Sequence, residues 1–192
     1  MAGKTELNHD DSNRPLRVLG IDPGLRVTGY GVVEFDAPDQ LTLIEGGVLR
    51  GGPSDQEIGQ RLVALRDGLA DVLQSLKPHV VAMEDLYSHY ERPKTAILMG
   101  HARGVLCMTA AAAGCAVHHY AATQIKRVLT GNGRAPKSQM QSAVARLLHL
   151  EEVPEPADVA DALAIAVCHC FLGERAVATT GNPESPQPGS TS

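Results

Sequence analysis

Two runs, Val18-Leu-Gly-Ile-Asp22 and Val80-Val-Ala-Met-Glu84, constrain this chain most. Both stay apolar up to a final carboxylate and lack the polar alternation of a strand with one face in water. Such runs fit strands covered on both faces, as in parallel sheets flanked by helices. An α/β domain follows, with the two runs side by side at its centre and Asp22 and Glu84 together at their C-terminal ends. The chain has 192 residues, enough for one such domain. Apolar residues make up 43% but aromatics only 3%, so Leu, Val, Ile and Ala must build the core.

The rest of the pattern supplies an order of elements. Arg17–Asp22 reads as the first strand and Pro23-Gly24 as a turn. Thr28–Phe35 and Leu41–Arg50 are strands joined through Ala37-Pro-Asp-Gln40, an antiparallel meander. Ser54-Asp-Gln-Glu57 has the form of a capping box. The helix behind it repeats apolar residues at Ile58, Leu62, Leu65, Leu69, Val72, Leu73 and Leu76, and Lys77-Pro78 ends it. His79–Glu84 is a fourth strand, parallel to the first. A long helix from Pro93 to Ala113 stops at Gly114, and Ala116–Tyr120 is a fifth strand. Short helices are expected over Thr123–Leu129 and Lys137–Leu148, and a last helix from Pro156 to Gly173. The domain therefore spans residues 16–173. Residues 1–15 and 174–192 read as disordered tails, the second rich in Pro, Gly, Ser and Thr.

Composition excludes several classes. No stretch approaches the roughly 18 apolar residues of a membrane span. The polar start of the chain lacks a signal-peptide core, so the expected compartment is the cytoplasm. Cys107, Cys115, Cys168 and Cys170 form no Cys-x-x-Cys pair and read as small buried hydrophobes; Cys168-His169-Cys170 lacks zinc-ligand spacing. The net charge is −5, yet from Leu86 to Leu150 eight Lys and Arg face a single acid, Glu91. That distribution points to one positive face meeting an anionic partner.

The acidic residues carry the chemistry. Asp158 and Asp161 lie three apart on the last helix and share a face. With Asp22 and Glu84 they form a set of four carboxylates whose crowding needs neutralising. Two hard cations about 3.5–4 Å apart would do that and would activate water against a phosphodiester. Asp22, on the most central strand, is the candidate to bridge both ions. Taken singly, Asp158 could equally cap its helix. Lys137 opens a helix after the loop Gly131-Asn-Gly-Arg134 and is placed to stabilise charge developing on a phosphate. Gly131–Ser138 resembles a P-loop, but Pro136 stands where a glycine N–H is required. Tyr87 and Tyr90 sit beside Glu84, where a ring could stack on a base. Gly100 and Gly104 share one face of the long helix, suited either to a second copy or to packing on the sheet.

These segments resemble the RuvC family of Holliday junction resolvases, of the ribonuclease H-like superfamily. The resemblance covers Leu16–Leu172 and is carried by Leu19-Gly-Ile-Asp-Pro-Gly-Leu-Arg-Val-Thr-Gly-Tyr-Gly31, Met83-Glu-Asp-Leu-Tyr87, Gly100-His-Ala-Arg-Gly104, Gln124-Ile-Lys126, Pro136-Lys-Ser-Gln139 and Ala157-Asp-Val-Ala-Asp-Ala-Leu-Ala-Ile-Ala166. His101 stands where the family's helix motif carries Gln, and Ser88-His-Tyr-Glu91 differs from its commoner loop. The resemblance implies a five-stranded mixed sheet flanked by helices on both faces. It implies catalytic and metal-binding roles for Asp22, Glu84, Asp158 and Asp161, and a catalytic role for Lys137. It places a base-contacting aromatic at Tyr87 and basic residues for junction cleavage at Lys126 and Lys137. Arg92, Lys94, Arg103 and Arg134, from the basic stretch, join them as candidate DNA contacts. The implied protein is a homodimer using Mg²⁺ or Mn²⁺, two per site. It nicks opposing strands of a four-way junction in recombination and repair, leaving 5′-phosphate and 3′-hydroxyl ends, beside RuvA and RuvB. A different ribonuclease H-like nuclease, a non-catalytic junction scaffold and an actin-like ATPase fragment are the alternatives.

Overall fold

The computed structural model describes residues 15–37, 40–85 and 93–180. Tyr87, Tyr90, Arg92, the Ser88–Glu91 loop and most of both expected tails lie outside them. Five strands and five helices follow in the order β1 (Leu16–Asp22), β2 (Val27–Ala37), β3 (Gln40–Arg50), α1 (Ile58–Leu76), β4 (Val80–Glu84), α2 (Pro93–Ala112), β5 (Ala116–Tyr120), α3 (Ala122–Thr130), α4 (Lys137–Leu147) and α5 (Ala157–Thr180). The sheet order is β3-β2-β1-β4-β5. β1 pairs antiparallel with β2 and parallel with β4, so the two apolar runs are neighbours at the centre. The meander and the parallel half match the expectation from connection lengths.

Side chains alternate across a strand, and this alternation sorts the core. Leu19, Ile21, Val81 and Met83 point to one face, where α1 and α2 cover them. Val18, Val80 and Ala82 point to the other, beneath α3, α4 and α5. Asp22 continues the Val18–Gly20 face and Glu84 continues the Val80–Ala82 face. Both carboxylates are thus directed to the side of the sheet that α5 occupies. Each fully buried Leu or Ile here contributes about 1.5–3 kcal/mol.

A lane of glycines brings α5 close. Gly20 and Gly31 pair across β1 and β2, and Gly29 pairs with Asp22. A Cβ at Gly20 would strike the carbonyl of Ala162, and one at Gly29 the carbonyl of Asp158. One at Gly31 would meet the Leu163 side chain. The α5 backbone therefore rests directly on the strands, as strand glycines permit.

The structure departs from the sequence reading at two helix ends. Ser54 does not cap α1; Glu57 does, its side chain accepting from the Gln60 N–H at 3.2 Å. The Gln56 N–H bonds back to the Pro53 carbonyl, which turns the chain before the helix can begin. Secondly, α5 runs to Thr180 rather than stopping at Gly173. A glycine inside a helix costs only about 1 kcal/mol, too little to end a helix by itself. The cysteines are free, and Cys168 and Cys170 are buried, with thiols pushed up to about 12 by burial. His169 between them is hydrogen-bonded through Nδ1 to the Tyr120 hydroxyl at 2.6 Å, tying α5 to β5.

Replacing Gly20 with Ala should lower stability by about 1–3 kcal/mol or more, because backbone atoms cannot yield to a methyl group. Gly173→Ala, inside α5 where a Cβ would meet nothing nearer than His169 Nε2 at 3.8 Å, should leave the thermal midpoint unchanged or raised. Thermal denaturation of the two variants beside the parent checks the pair.

Candidate active site

Five elements converge on one cleft of about 230 Å³, lined by Asp22, Glu84, Asp161, Lys126 and Lys137 over a floor that includes Ile125 and Met140. Asp22 is supplied by the end of β1 and Glu84 by the end of β4. Asp161 comes from α5, one turn beyond Asp158. Asp158 does not line the cleft, yet its charge acts on Asp22.

The turn after Asp22 is held rigidly. Thr28 Oγ1 donates to the Gly24 carbonyl at 2.7 Å and accepts from the Gly24 N–H at 3.1 Å. Arg61, only 8% exposed, donates from Nε to the Gly51 carbonyl at 3.1 Å and from Nη2 toward the Leu25 carbonyl at 3.4 Å. A buried guanidinium aimed at these two carbonyls ties the turn after Asp22 to the segment that follows β3.

Charge is unbalanced in the cleft. Burial raises Asp22 from the usual carboxylate range to about 7, and Asp161, Glu84 and Asp158 add to the rise; Lys137 opposes it. Glu84 is also raised, first by burial and then by Asp161, while Lys126 and Arg103 pull it down. Lys137 Nζ donates to Asp161 Oδ2 at 2.7 Å, and this bond holds the lysine protonated above its usual range. Among the described residues no three acidic, His or Cys side chains are drawn tightly enough to enclose an ion. The donor set is nonetheless all oxygen, crowded and short of positive charge, which fits a hard divalent cation.

The other predicted contacts divide. Lys94 and Arg134 are exposed, and Lys126 is half-buried in the cleft wall. Arg103 is turned inward, with a side chain 13% exposed and its guanidinium bonded within the fold. Sequence reasoning treated it as one more basic residue. It also missed Arg61 and the glycine lane. The lane had a readable signal, since Gly29 and Gly31 are two apart on a strand and so share a face.

A family model described as crossover junction endodeoxyribonuclease RuvC matches residues 18–169. The RuvC crossover junction endodeoxyribonuclease of Rhodopirellula baltica is 52% identical over 160 residues, covering 83% of this chain and 89% of that protein. The corresponding protein of Caldanaerobacter subterraneus is 41% identical over 155 residues, covering 81% and 92%. The structure is similar to T. thermophilus RuvC in complex with a Holliday junction substrate, with TM-score 0.80, 32% identity, and coverage of 84% of this chain and 96% of that one. Yeast mitochondrial resolvase Ydc2, at TM-score 0.63 and 17% identity, shares the fold.

The raised Asp22 carboxyl links stability to pH. Between its unfolded value of 3.8 and about 7 the folded state binds the extra proton. Stability of the metal-free protein therefore falls as pH rises through that window. Asp22→Asn removes this term, so its advantage over the parent should be small near pH 4 and reach about 2–4 kcal/mol above pH 7. Denaturant titrations at both pH values check it, and a pH-independent difference would refute the assignment.

Proposed function

The chain belongs to the RuvC family of crossover junction endodeoxyribonucleases, and we propose that Asp22, Glu84, Asp158 and Asp161 are its metal-binding catalytic carboxylates. It is a nuclease acting on Holliday junctions, and RuvC nucleases depend on metal ions. The observation that supports the finer reading is the gathering of these acids at the ends of β1 and β4 beneath α5, where burial first and the neighbouring acids second lift Asp22 to about 7. Bound there, two Mg²⁺ or Mn²⁺ ions would polarise a water, neutralise the scissile phosphate and stabilise the leaving 3′-oxygen. The products are then a 5′-phosphate and a 3′-hydroxyl.

The protein's own groups do the rest. Asp22, on which the charges of the other three acids act, would be the central ligand to the ions. Lys137, 57% exposed at the mouth of the cleft, exchanges its Asp161 partner for a phosphate oxygen when DNA enters. Asp161, freed of that bond, would then help to hold a metal ion. Lys126 on α3 holds the strand from the opposite wall, and Lys94 and Arg134 meet phosphates farther out. Tyr87 and Arg92, in the segment between β4 and α2, are proposed to contact the crossover.

Symmetric nicking needs two sites related by a twofold axis, and so a dimer. The outward stripe of α2 supports that arrangement. Ala102, Leu106 and Ala110 are buried inward, while Ile97 and Met108 are 60% and 58% exposed on the other side. Nothing lies within 4 Å of a Cβ built at Gly100 or Gly104. Of the two readings left open for these glycines, contact with a second copy is therefore favoured over packing on the sheet. By length and composition Lys94–Ala112 would also qualify as a membrane span, but its inward stripe packs against α1 and the sheet and it carries Arg103 at its centre. The cytoplasm is the proposed compartment, and the RuvA–RuvB branch-migration complex the proposed companion.

Offered labelled four-way junction, duplex and RNA–DNA hybrid with Mg²⁺, the protein should make paired symmetric nicks only in the junction. Preferential hybrid cleavage would overturn this reading. Asp161→Asn should retain junction binding and lose cutting by roughly 100-fold or more. Lys137→Ala should slow cutting roughly 100-fold with little change in binding. Met108→Glu should shift sedimentation from dimer to monomer, and an unchanged dimer would move the contact elsewhere.

A further inference from the structure

We propose that Arg103 is a positioning residue for Glu84, a clamp that fixes the end of β4 rather than a phosphate contact. Its guanidinium makes three bonds, each to a different group. Nη1 donates to the Glu84 carbonyl. Nη2 donates to Asp85 Oδ1 at 3.2 Å and to His119 Nδ1 at 2.7 Å. One side chain on α2 thus grips the last residue of β4, the residue after it, and β5.

The geometry explains why such a grip is needed. Glu84 is the last residue of β4. The Asp85 N–H, on the peptide that follows it, donates to the Tyr120 carbonyl of β5 at 2.8 Å. The Glu84 carbonyl, on the other side of that peptide, is held by Arg103. A planar fork of donors can hold a carbonyl, a carboxylate and an imidazole at once, and a lysine cannot. The Arg103 side chain is 13% exposed, against 57% for Lys137. Desolvated and fully engaged, the guanidinium is unavailable to a phosphate without breaking these bonds. Arg103 and Lys137 therefore divide the work, one inside the fold and one at the substrate.

The inference rests on Glu84 being a metal ligand, so the test separates the two. Arg103→Gln and Arg103→Lys would be compared with the parent and with Glu84→Gln, as full-length protein. Junction affinity would be measured without divalent metal across a salt series, and nicking at saturating junction across a Mg²⁺ series. Both Arg103 variants should bind the junction as the parent does, with the same salt slope. Their saturated nicking should fall roughly 10- to 100-fold, with half-maximal Mg²⁺ raised by a similar factor. Arg103→Lys keeps the charge and the packing of the stem, so a loss in that variant isolates the fork. A salt slope reduced by about one with unchanged saturated nicking would make Arg103 a phosphate contact and overturn the clamp. Arg103 variants that nick normally while Glu84→Gln does not would overturn the clamp alone. Normal nicking by Glu84→Gln would overturn the ligand assignment beneath it.

Discussion

The contact between the α5 backbone and the glycine lane on β1 and β2 is the constraint from which the rest of the site follows. Gly20, Gly29 and Gly31 remove the side chains that would hold a helix away from a sheet. The carbonyls of Asp158 and Ala162 sit directly on the strand surface. Asp158 and Asp161 are carried in with that backbone to the height of Asp22. Without the lane, ordinary side chains would stand between helix and sheet, and the acids of α5 would lie too far out to crowd those of β1 and β4.

That crowding is unfavourable, and the fold sustains it through the rigidity of the strands. Asp22 and Glu84 are fixed by ladder bonds and by the alternation that directs Val18, Gly20, Val80 and Ala82 to the same face. They cannot relax into solvent without disturbing the most buried part of the sheet. Burial first, and the neighbouring acids second, raise Asp22 to about 7. A cation bound there would relieve both.

Positive charge is distributed in two layers. Arg61 and Arg103 are turned inward and bond to backbone carbonyls beside the turn after Asp22 and at Glu84. They shape the cleft from behind. Lys126 and Lys137 face the cleft itself. The distinction follows from side-chain chemistry. A guanidinium offers several donors in a plane and suits fixed carbonyls, whereas an ammonium is a mobile point charge suited to exchanging one oxygen for another.

The sequence by itself determined the strand order, the pairing of the two apolar runs and the acids at their ends. Those features rest on local periodicity and on the rule that continuous apolar strands lie buried and parallel. The motifs resembling the RuvC family were equally legible, because they are contiguous. The ends of α1 and α5 were misread where weak local signals, a Ser-x-x-Glu spacing and a single glycine, competed with turn geometry and with the flanking helix. The depth at which α5 sits was decided only by tertiary structure, since it depends on glycines and helix residues more than 120 positions apart. So was the role of Arg103. In sequence it is one basic residue among eight; in the fold, Glu84, Asp85 and His119 converge on it from two strands. Whether a charge faces solvent or the backbone is set by what packs around it, and no local pattern records that.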